Sequence, residues 1–551
     1  RRQRQMCIRD RSNKDEVTQM IDSLAEKGQE ALKELSKKSQ QEINDIVHQM
    51  SMAAVDQHMH LAKLAYDETG RGIYEDKAIK NLYASEYIWN SIKDNKTVGI
   101  IGEDKQKGLT YVAEPIGVIC GVTPTTNPTS TTIFKAMIAI KTGNPIIFAF
   151  HPSAQQSSKH AAKVILEAAI KAGAPKDCIQ WIEIPSIEAT KQLMNHKDIA
   201  LVLATGGSGM VKSAYSTGKP ALGVGPGNVP TYIEKTAHIK RAVNDIIGSK
   251  TFDNGMICAS EQVMVVDKEI YSDVVKEFKL HHTYFVNKNQ LQQLEYAIMN
   301  EDKTAVKPDI VGKSAVSIAK LSGISVPEKT KLLVAEIDGI GKDYPLSREK
   351  LSPVLAMVTA KSTRHALQIC EDTLNFGGLG HTAVIHTEDS QLQQKFGLKM
   401  KACRVLVNTP SAVGGIGNMY NELIPSLTLG CGSYGRNSIS HNVSAVDLLN
   451  IKTIAKRRNN MQWFKLPPKV YFEENSVMYL TEMDNVERVM IVCDPGMVNI
   501  GYTDIVEQVL RRRENQPQIK VFNEVEPNPS THTVYKLSLI HISEPTRPLY
   551  I

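Results

Sequence analysis

No run of apolar residues in this 551-residue chain approaches the roughly 18 needed to span a bilayer. The longest candidates, Pro145 to Phe150 and Ile199 to Ala204, are strand-sized, so no membrane role is expected. The eight cysteines include no CxxC pair and no metal-ligand spacing, which argues against a disulfide framework and against a zinc site. No signal-like apolar segment stands near the start, so a reducing cytoplasm is the expected home and any important cysteine should act as a thiol. An excess of one charge is also missing from the body. Of the net +6, the first eleven residues carry +4 and the last sixteen +1, which leaves +1 for everything between. A nucleic-acid partner therefore has no electrostatic support.

What is present is the balance of a soluble globular protein, 42% hydrophobic and 23% charged, long enough for about three or four folding units. The two ends, residues 1–13 and 536–551, do not continue the patterns beside them and look like translated sequencing-adapter read-through, so they are set aside as non-native tails. Residues 13 to about 66 carry Val17, Met20, Ile21 and Leu24, then Ile43, Ile46, Val47 and Met50, the spacing of amphipathic helices. From Glu114 the texture changes. Pro115 to Val122 predicts a strand, a helix follows from about Thr131, and Pro145 to Phe150 predicts the next strand. A helix from about Ser157 ends at Gly173 and Pro175, and Ile199 to Ala204 predicts another strand. This βαβ rhythm predicts an α/β fold whose ligands bind beyond the carboxyl ends of a parallel sheet. Lys465-Leu466-Pro467-Pro468-Lys469 breaks any helix and predicts a linker over 461–484. Beyond it, Arg488 to Cys493 predicts a strand and Ile505 to Arg513 a helix, the opening of another α/β domain over 485–535.

Asp253-Asn254-Gly255-Met256-Ile257-Cys258 places one cysteine after a glycine turn and before the β-rich run Gln262 to Val266. A thiol in such a loop can be a nucleophile. With Thr123-Pro124-Thr125-Thr126-Asn127-Pro128, Gly223-Val224-Gly225-Pro226-Gly227-Asn228 and Glu349-Lys350-Leu351-Ser352-Pro353, the sequence over about 14–460 resembles the aldehyde dehydrogenase superfamily. Within it, the resemblance is to the CoA-acylating branch that forms the N-terminal half of bifunctional aldehyde-alcohol dehydrogenases. It implies a Rossmann-like cofactor domain over 14–248, a catalytic domain over 249–425, and a return to the cofactor and oligomerisation region over 426–460. The segment after 485 resembles the start of the iron-dependent alcohol dehydrogenase half. Iron is expected only in the downstream part of that half, so neither iron nor alcohol dehydrogenase activity is expected here.

Carried over by position, Cys258 is expected to attack an aldehyde, pass hydride to NAD, and keep a thioester. Asn127 is the expected oxyanion donor, although the family's Pro-aromatic-Asn spacing would put Thr126 in register. Gly223 stands where hydrolytic members carry a water-activating glutamate, so the thioester is expected to pass to CoA rather than to water. Thr205, Gly206 and Gly207 lie at a strand-to-helix junction suited to a pyrophosphate. His151 stands where relatives often place a ribose-contacting lysine, which leaves NAD versus NADP open. Glu349 is expected to hold the nicotinamide ribose, and His381, as an imidazole of ordinary pKa, to take a proton from CoA or Cys258. The expected reaction is the reversible conversion of acetaldehyde, NAD and CoA to acetyl-CoA and NADH in fermentation, by a homo-oligomer of the kind that forms filaments in full-length relatives. An acyl-phosphate-dependent reductase of the same fold and a non-catalytic filament subunit are the alternatives.

Overall fold

The run Val118-Ile119-Cys120-Gly121-Val122 is buried at every position, which only a strand covered on both faces permits. In the computed structural model, which describes residues 2–457 and 470–543, this strand is the centre of a five-stranded parallel sheet. Its order is Ile179–Trp181, Ile146–Ala149, Val118–Val122, Ile199–Thr205 and Ala221–Val224. The strand predicted from Pro115 to Val122 is in fact two. Leu109–Pro115 pairs antiparallel with Gly99–Asp104 and with Leu449–Ala455. The chain then turns at Gly117, whose φ of +135° is open to glycine and whose Cβ would sit 2.7 Å from that of Ala200, before entering the parallel sheet.

The helix between the two central strands begins at Pro128, three residues before the predicted start, and every residue of Pro128–Lys141 is buried. Proline at the first helical turn gives up no hydrogen bond. Lys135, inside this helix, donates to the carbonyls of Val122 at 2.5 Å and Leu203 at 2.8 Å. It thereby ties the helix to the ends of two neighbouring strands. Burial pushes its pKa down to about 7. The amphipathic helices expected near the start are Arg2–Leu35, Gln40–Asp56 and His58–Thr69. The first begins inside the segment set aside as a tail. The second opens with a reciprocal Ser39–Glu42 cap.

The cofactor domain expected over 14–248 takes in one strand of the second sheet. Val229–Ile233 is hydrogen-bonded to Glu261–Asp267 and Gly380–His386, so it belongs to the second sheet. That sheet has seven parallel strands in the order Thr283–Val286, Leu332–Glu336, Val354–Ala360, Glu261–Asp267, Val229–Ile233, Gly380–His386 and Ala402–Val407. Helical spacing in Ile239–Thr251 concealed the change of sheet, because a helix reads the same whichever sheet it covers. A separate unit follows residue 456. It holds the parallel pair Arg488–Val492 and Gln518–Phe522 with the helices Pro495–Asn499, Tyr502–Leu510 and Thr531–Ser543. The linker motif Lys465 to Lys469 lies outside the described residues, as does the second half of the tail expected over 536–551. Among the described residues, no helix is long and apolar enough to cross a membrane.

Candidate active site

Before Cys258 the backbone takes three consecutive left-handed residues: Asp253 at φ +46°, Asn254 at +53° and Gly255 at +74°. Non-glycine residues adopt this conformation only when the surroundings hold them there. Those surroundings come from the helix Tyr74–Leu82 and the turn before it. The buried Asp253 carboxylate accepts from Ile73 N–H at 2.7 Å, Lys77 Nζ at 3.1 Å and Lys80 Nζ at 2.6 Å, while its own N–H donates to Asp76 at 2.7 Å. Asn254 donates to the carbonyls of Gly72 and Gly312. On the far side, Glu261 accepts from Ser249 Oγ and Ser411 N–H. Cys258 thus sits on a rigid turn held at both ends.

The thiol opens into a cavity of about 520 Å³, within the range of small-molecule and cofactor sites. Burial pushes the Cys258 thiol up to about 12, with the charges of Glu349 and Cys431 adding to the rise and Arg404 opposing it. The resting sulfur is therefore protonated and would have to shed a proton to act as a nucleophile.

Of the residues singled out in the sequence, the cavity brings together Cys258, Asn127, His151, Thr205, Gly206, Gly207 and Glu349. Asn127 caps the all-buried helix. Its Oδ1 accepts from Lys80 Nζ at 2.6 Å and its Nδ2 donates to Thr126 Oγ1 at 3.2 Å. Glu349 Oε1 accepts from Gly227 N–H at 3.1 Å, and burial lifts this carboxyl to about 7. His151 Nδ1 accepts from Ser153 N–H at 3.1 Å. Partial burial, and then Arg71, lower its pKa, so it faces the cavity as a neutral ring. The junction between strand Ile199–Thr205 and helix Ser208–Tyr215 supplies Thr205, Gly206 and Gly207. The hydroxyls of Thr123, Thr125 and Thr205, all at this cavity, are buried without a hydrogen-bond partner among the described residues. Such orphaned hydroxyls suit a polar ligand rich in hydroxyl and phosphate oxygens.

Two expected residues do not line the cavity. Gly223 faces helix Ser208–Tyr215 instead: a Cβ there would meet the Tyr215 ring at 3.0 Å and Val211 at 3.1 Å. Tyr215 Oη also bonds both the N–H and the carbonyl of Gly223. The cavity wall is made by its neighbours Val224, Gly225 and Pro226. His381 is wholly buried rather than poised at ordinary pKa. Burial and then Arg404 hold it well below its usual value. Its Nδ1 bonds Thr382 Oγ1 at 2.9 Å, and its Nε2 has no partner among the described residues. It packs against Gly227, whose Cβ would meet the His381 ring at 3.0 Å and the Cys258 carbonyl at 2.2 Å. Its place is thus behind the Cys258 backbone.

Sequence reasoning missed Lys77 and Lys80. The only available signal was their three-residue spacing on one helical face, which reads equally as a solvated stripe. Both are in fact buried. Among the described residues, no group of three acidic, histidine or cysteine side chains is placed to hold a metal ion.

The streptococcal relative titled aldehyde-alcohol dehydrogenase, from Streptococcus pneumoniae serotype 4, is 55% identical over 491 residues. The match covers 88% of this chain and 56% of that one, so the chain spans about half the length of this curated relative. The crystal structure of an acetylating aldehyde dehydrogenase from Geobacillus thermoglucosidasius superposes with a TM-score of 0.79 at 46% identity, over 82% of this chain and 99% of that one. A propionaldehyde dehydrogenase from Rhodopseudomonas palustris, solved with bound CoA and an acylated cysteine, gives 0.71 at 27% identity over 79% of this chain and 97% of that one. Residues 4–418 match the aldehyde dehydrogenase family, and with the thiol, the asparagine and the Glu349 carboxyl converging on one cavity, the chain belongs to that family.

Proposed function

We propose that the chain is a CoA-acylating aldehyde dehydrogenase that interconverts a short aldehyde, NAD⁺ and CoA with acyl-CoA, NADH and a proton. The observation that carries the reading is the cavity's acid–base inventory: Cys258 is its nucleophile, and Glu349, already held by Gly227 N–H, is its carboxylate. Among the described residues, no other carboxylate lines the cavity to activate water.

Cys258 gives its thiol proton to solvent as Sγ adds to the aldehyde carbon, the carbonyl oxygen takes up negative charge, and the thiolate released at the end of the cycle takes a proton back. Asn127 Nδ2, lining the same cavity, is the side-chain donor for that oxygen. When bound, a nicotinamide would supply the hydride acceptor for the tetrahedral carbon, and the acyl group would stay on Cys258 Sγ as a thioester. CoA thiolate attacks the thioester carbonyl, and Cys258 departs as the leaving thiolate. The orphaned hydroxyls of Thr123, Thr125 and Thr205 and the small residues Gly206 and Gly207 are the groups that would hold the dinucleotide, with Glu349 facing a ribose. His151 supports NAD over NADP, since a neutral ring offers a 2′-phosphate no positive charge. The R. palustris neighbour with CoA and an acylated cysteine supports the same sequence of steps.

The test is NADH formation across an aldehyde series with CoA, with phosphate, and with neither. Sustained turnover with CoA alone is expected. Equal turnover when CoA is withheld would overturn the reading.

A further inference from the structure

Helix Tyr74–Leu82 buries two lysines that face the same carboxylate but end differently. Lys77 Nζ reaches Asp253 at 3.1 Å and the backbone carbonyl of Thr126 at 3.3 Å. Lys80 Nζ uses its three protons on Asp253 Oδ2 at 2.6 Å, Asn127 Oδ1 at 2.6 Å and the Met256 carbonyl at 3.2 Å. Two of those acceptors lie in the turn that carries Cys258. The third is the amide facing the cavity.

We propose that Lys80 is a positioning residue for the reaction: it fixes the rotation of the Asn127 amide and ties that amide to the cysteine turn. The inference deepens the proposed function and rests on Asn127 being the oxyanion donor. An ammonium donates and never accepts, so Asn127 must turn its oxygen to Lys80 and its nitrogen away. One Nδ2 proton goes to Thr126 Oγ1, which leaves the other for an oxygen in the cavity. Without the ammonium, nothing described here distinguishes this rotation from its reverse, in which an amide oxygen would oppose the developing oxyanion. The charge also polarises the amide, which strengthens its N–H as a donor in a site shielded from water. Asp253 anchors Lys80 and the nucleophile's turn together, so donor and sulfur keep one relative placement. A misplacement of about 1 Å in such a pair is costly to rate.

A double-mutant cycle on the full chain tests this. Lys80→Met is expected to lower kcat on the order of 10- to 100-fold while the KM for aldehyde stays within about threefold, and Asn127→Ala to lower kcat on the order of 10²- to 10³-fold. In the Asn127→Ala background, Lys80→Met should change kcat less than about threefold, because the group it acts through is gone. Thermal melts report stability separately. If Lys80→Met is too unstable to assay, Lys80→Gln takes its place with the same expectation, because an amide that can turn either its nitrogen or its oxygen to Asn127 no longer dictates the rotation. Multiplicative losses in the cycle, or a loss confined to KM, would overturn the role of Lys80. A near-normal rate for Asn127→Ala would instead overturn the reading of Asn127, and continued turnover by Cys258→Ala the reading of the whole site.

Discussion

Gly227 separates the Cys258 backbone from His381, and replacing it with alanine is a sharp small perturbation of the fold. The added methyl would sit 2.2 Å from the Cys258 carbonyl oxygen and 3.0 Å from the His381 ring. Ordinary contact begins near 3.4 Å, so the Cys258 oxygen and the methyl must part by about 1.2 Å. Neither partner is a flexible side-chain end: one is backbone, the other a ring enclosed on all sides. The turn carrying Cys258 must therefore move, or the loop 225–228 must move and break the Gly227 N–H bond to Glu349. A displacement near 1 Å at a reacting centre costs roughly 10²-fold in rate, about 2.7 kcal/mol of transition-state stabilisation. The assay is NADH formation from acetaldehyde with CoA, run beside the rate of iodoacetamide labelling of Cys258. Gly225→Ala is the companion, since a methyl there meets no protein atom within 4 Å; it should preserve labelling while raising the KM for the dinucleotide. A Gly227→Ala protein with kcat and labelling both within about threefold of the parent would refute the argument.

Cys258→Ala should leave no NADH production, and the parent given aldehyde and NAD⁺ without CoA should stop after one equivalent of NADH per site; stopped-flow absorbance checks both. Glu349 is raised in the fold to about 7, so the folded state holds a proton that the unfolded chain has already released. Its ionisation therefore removes stability as pH rises from the ordinary carboxyl range towards 7. Glu349→Gln should accordingly melt progressively higher than the parent between about pH 5 and about pH 8, and a difference in Tm that does not change with pH would contradict the assignment. Gly248 lies inside helix Ile239–Thr251 with nothing within 4 Å of its missing Cβ. Gly248→Ala should gain about 0.5–1 kcal/mol in denaturant titration.

The parallel sheets were legible because buried β-branched runs such as Ile199–Thr205 leave few alternatives, and the loops after them pointed to Thr205, Gly206 and Gly207. Cys258, Asn127 and Glu349 were singled out by a family resemblance carried on short motifs, and the fold brings all three to one cavity. What escaped was contact across the sequence. Lys80 and Asp253 are 173 positions apart, and neither carries a mark that says buried. Gly223 was misplaced for a related reason: alternation along a strand gives two faces, and only the packed Tyr215 ring shows which of them it turns towards. His381 has a glycine-rich turn before it, as an active residue would, but its enclosure depends on Arg404 and Gly227 arriving from elsewhere.

The helix Pro128–Lys141 has no solvent face, and the residue that caps it, Asn127, carries an amide facing the cavity. An enzyme usually keeps its working groups on loops that can drift without loosening the interior. Here the interior itself is the mount: Lys135 clamps the helix to two strand ends, and any slack introduced along Ile133, Met137 or Ile140 would be transmitted to the Asn127 amide at the cavity. Slow, poorly aligned turnover at temperatures well below melting is the signature such wear should leave.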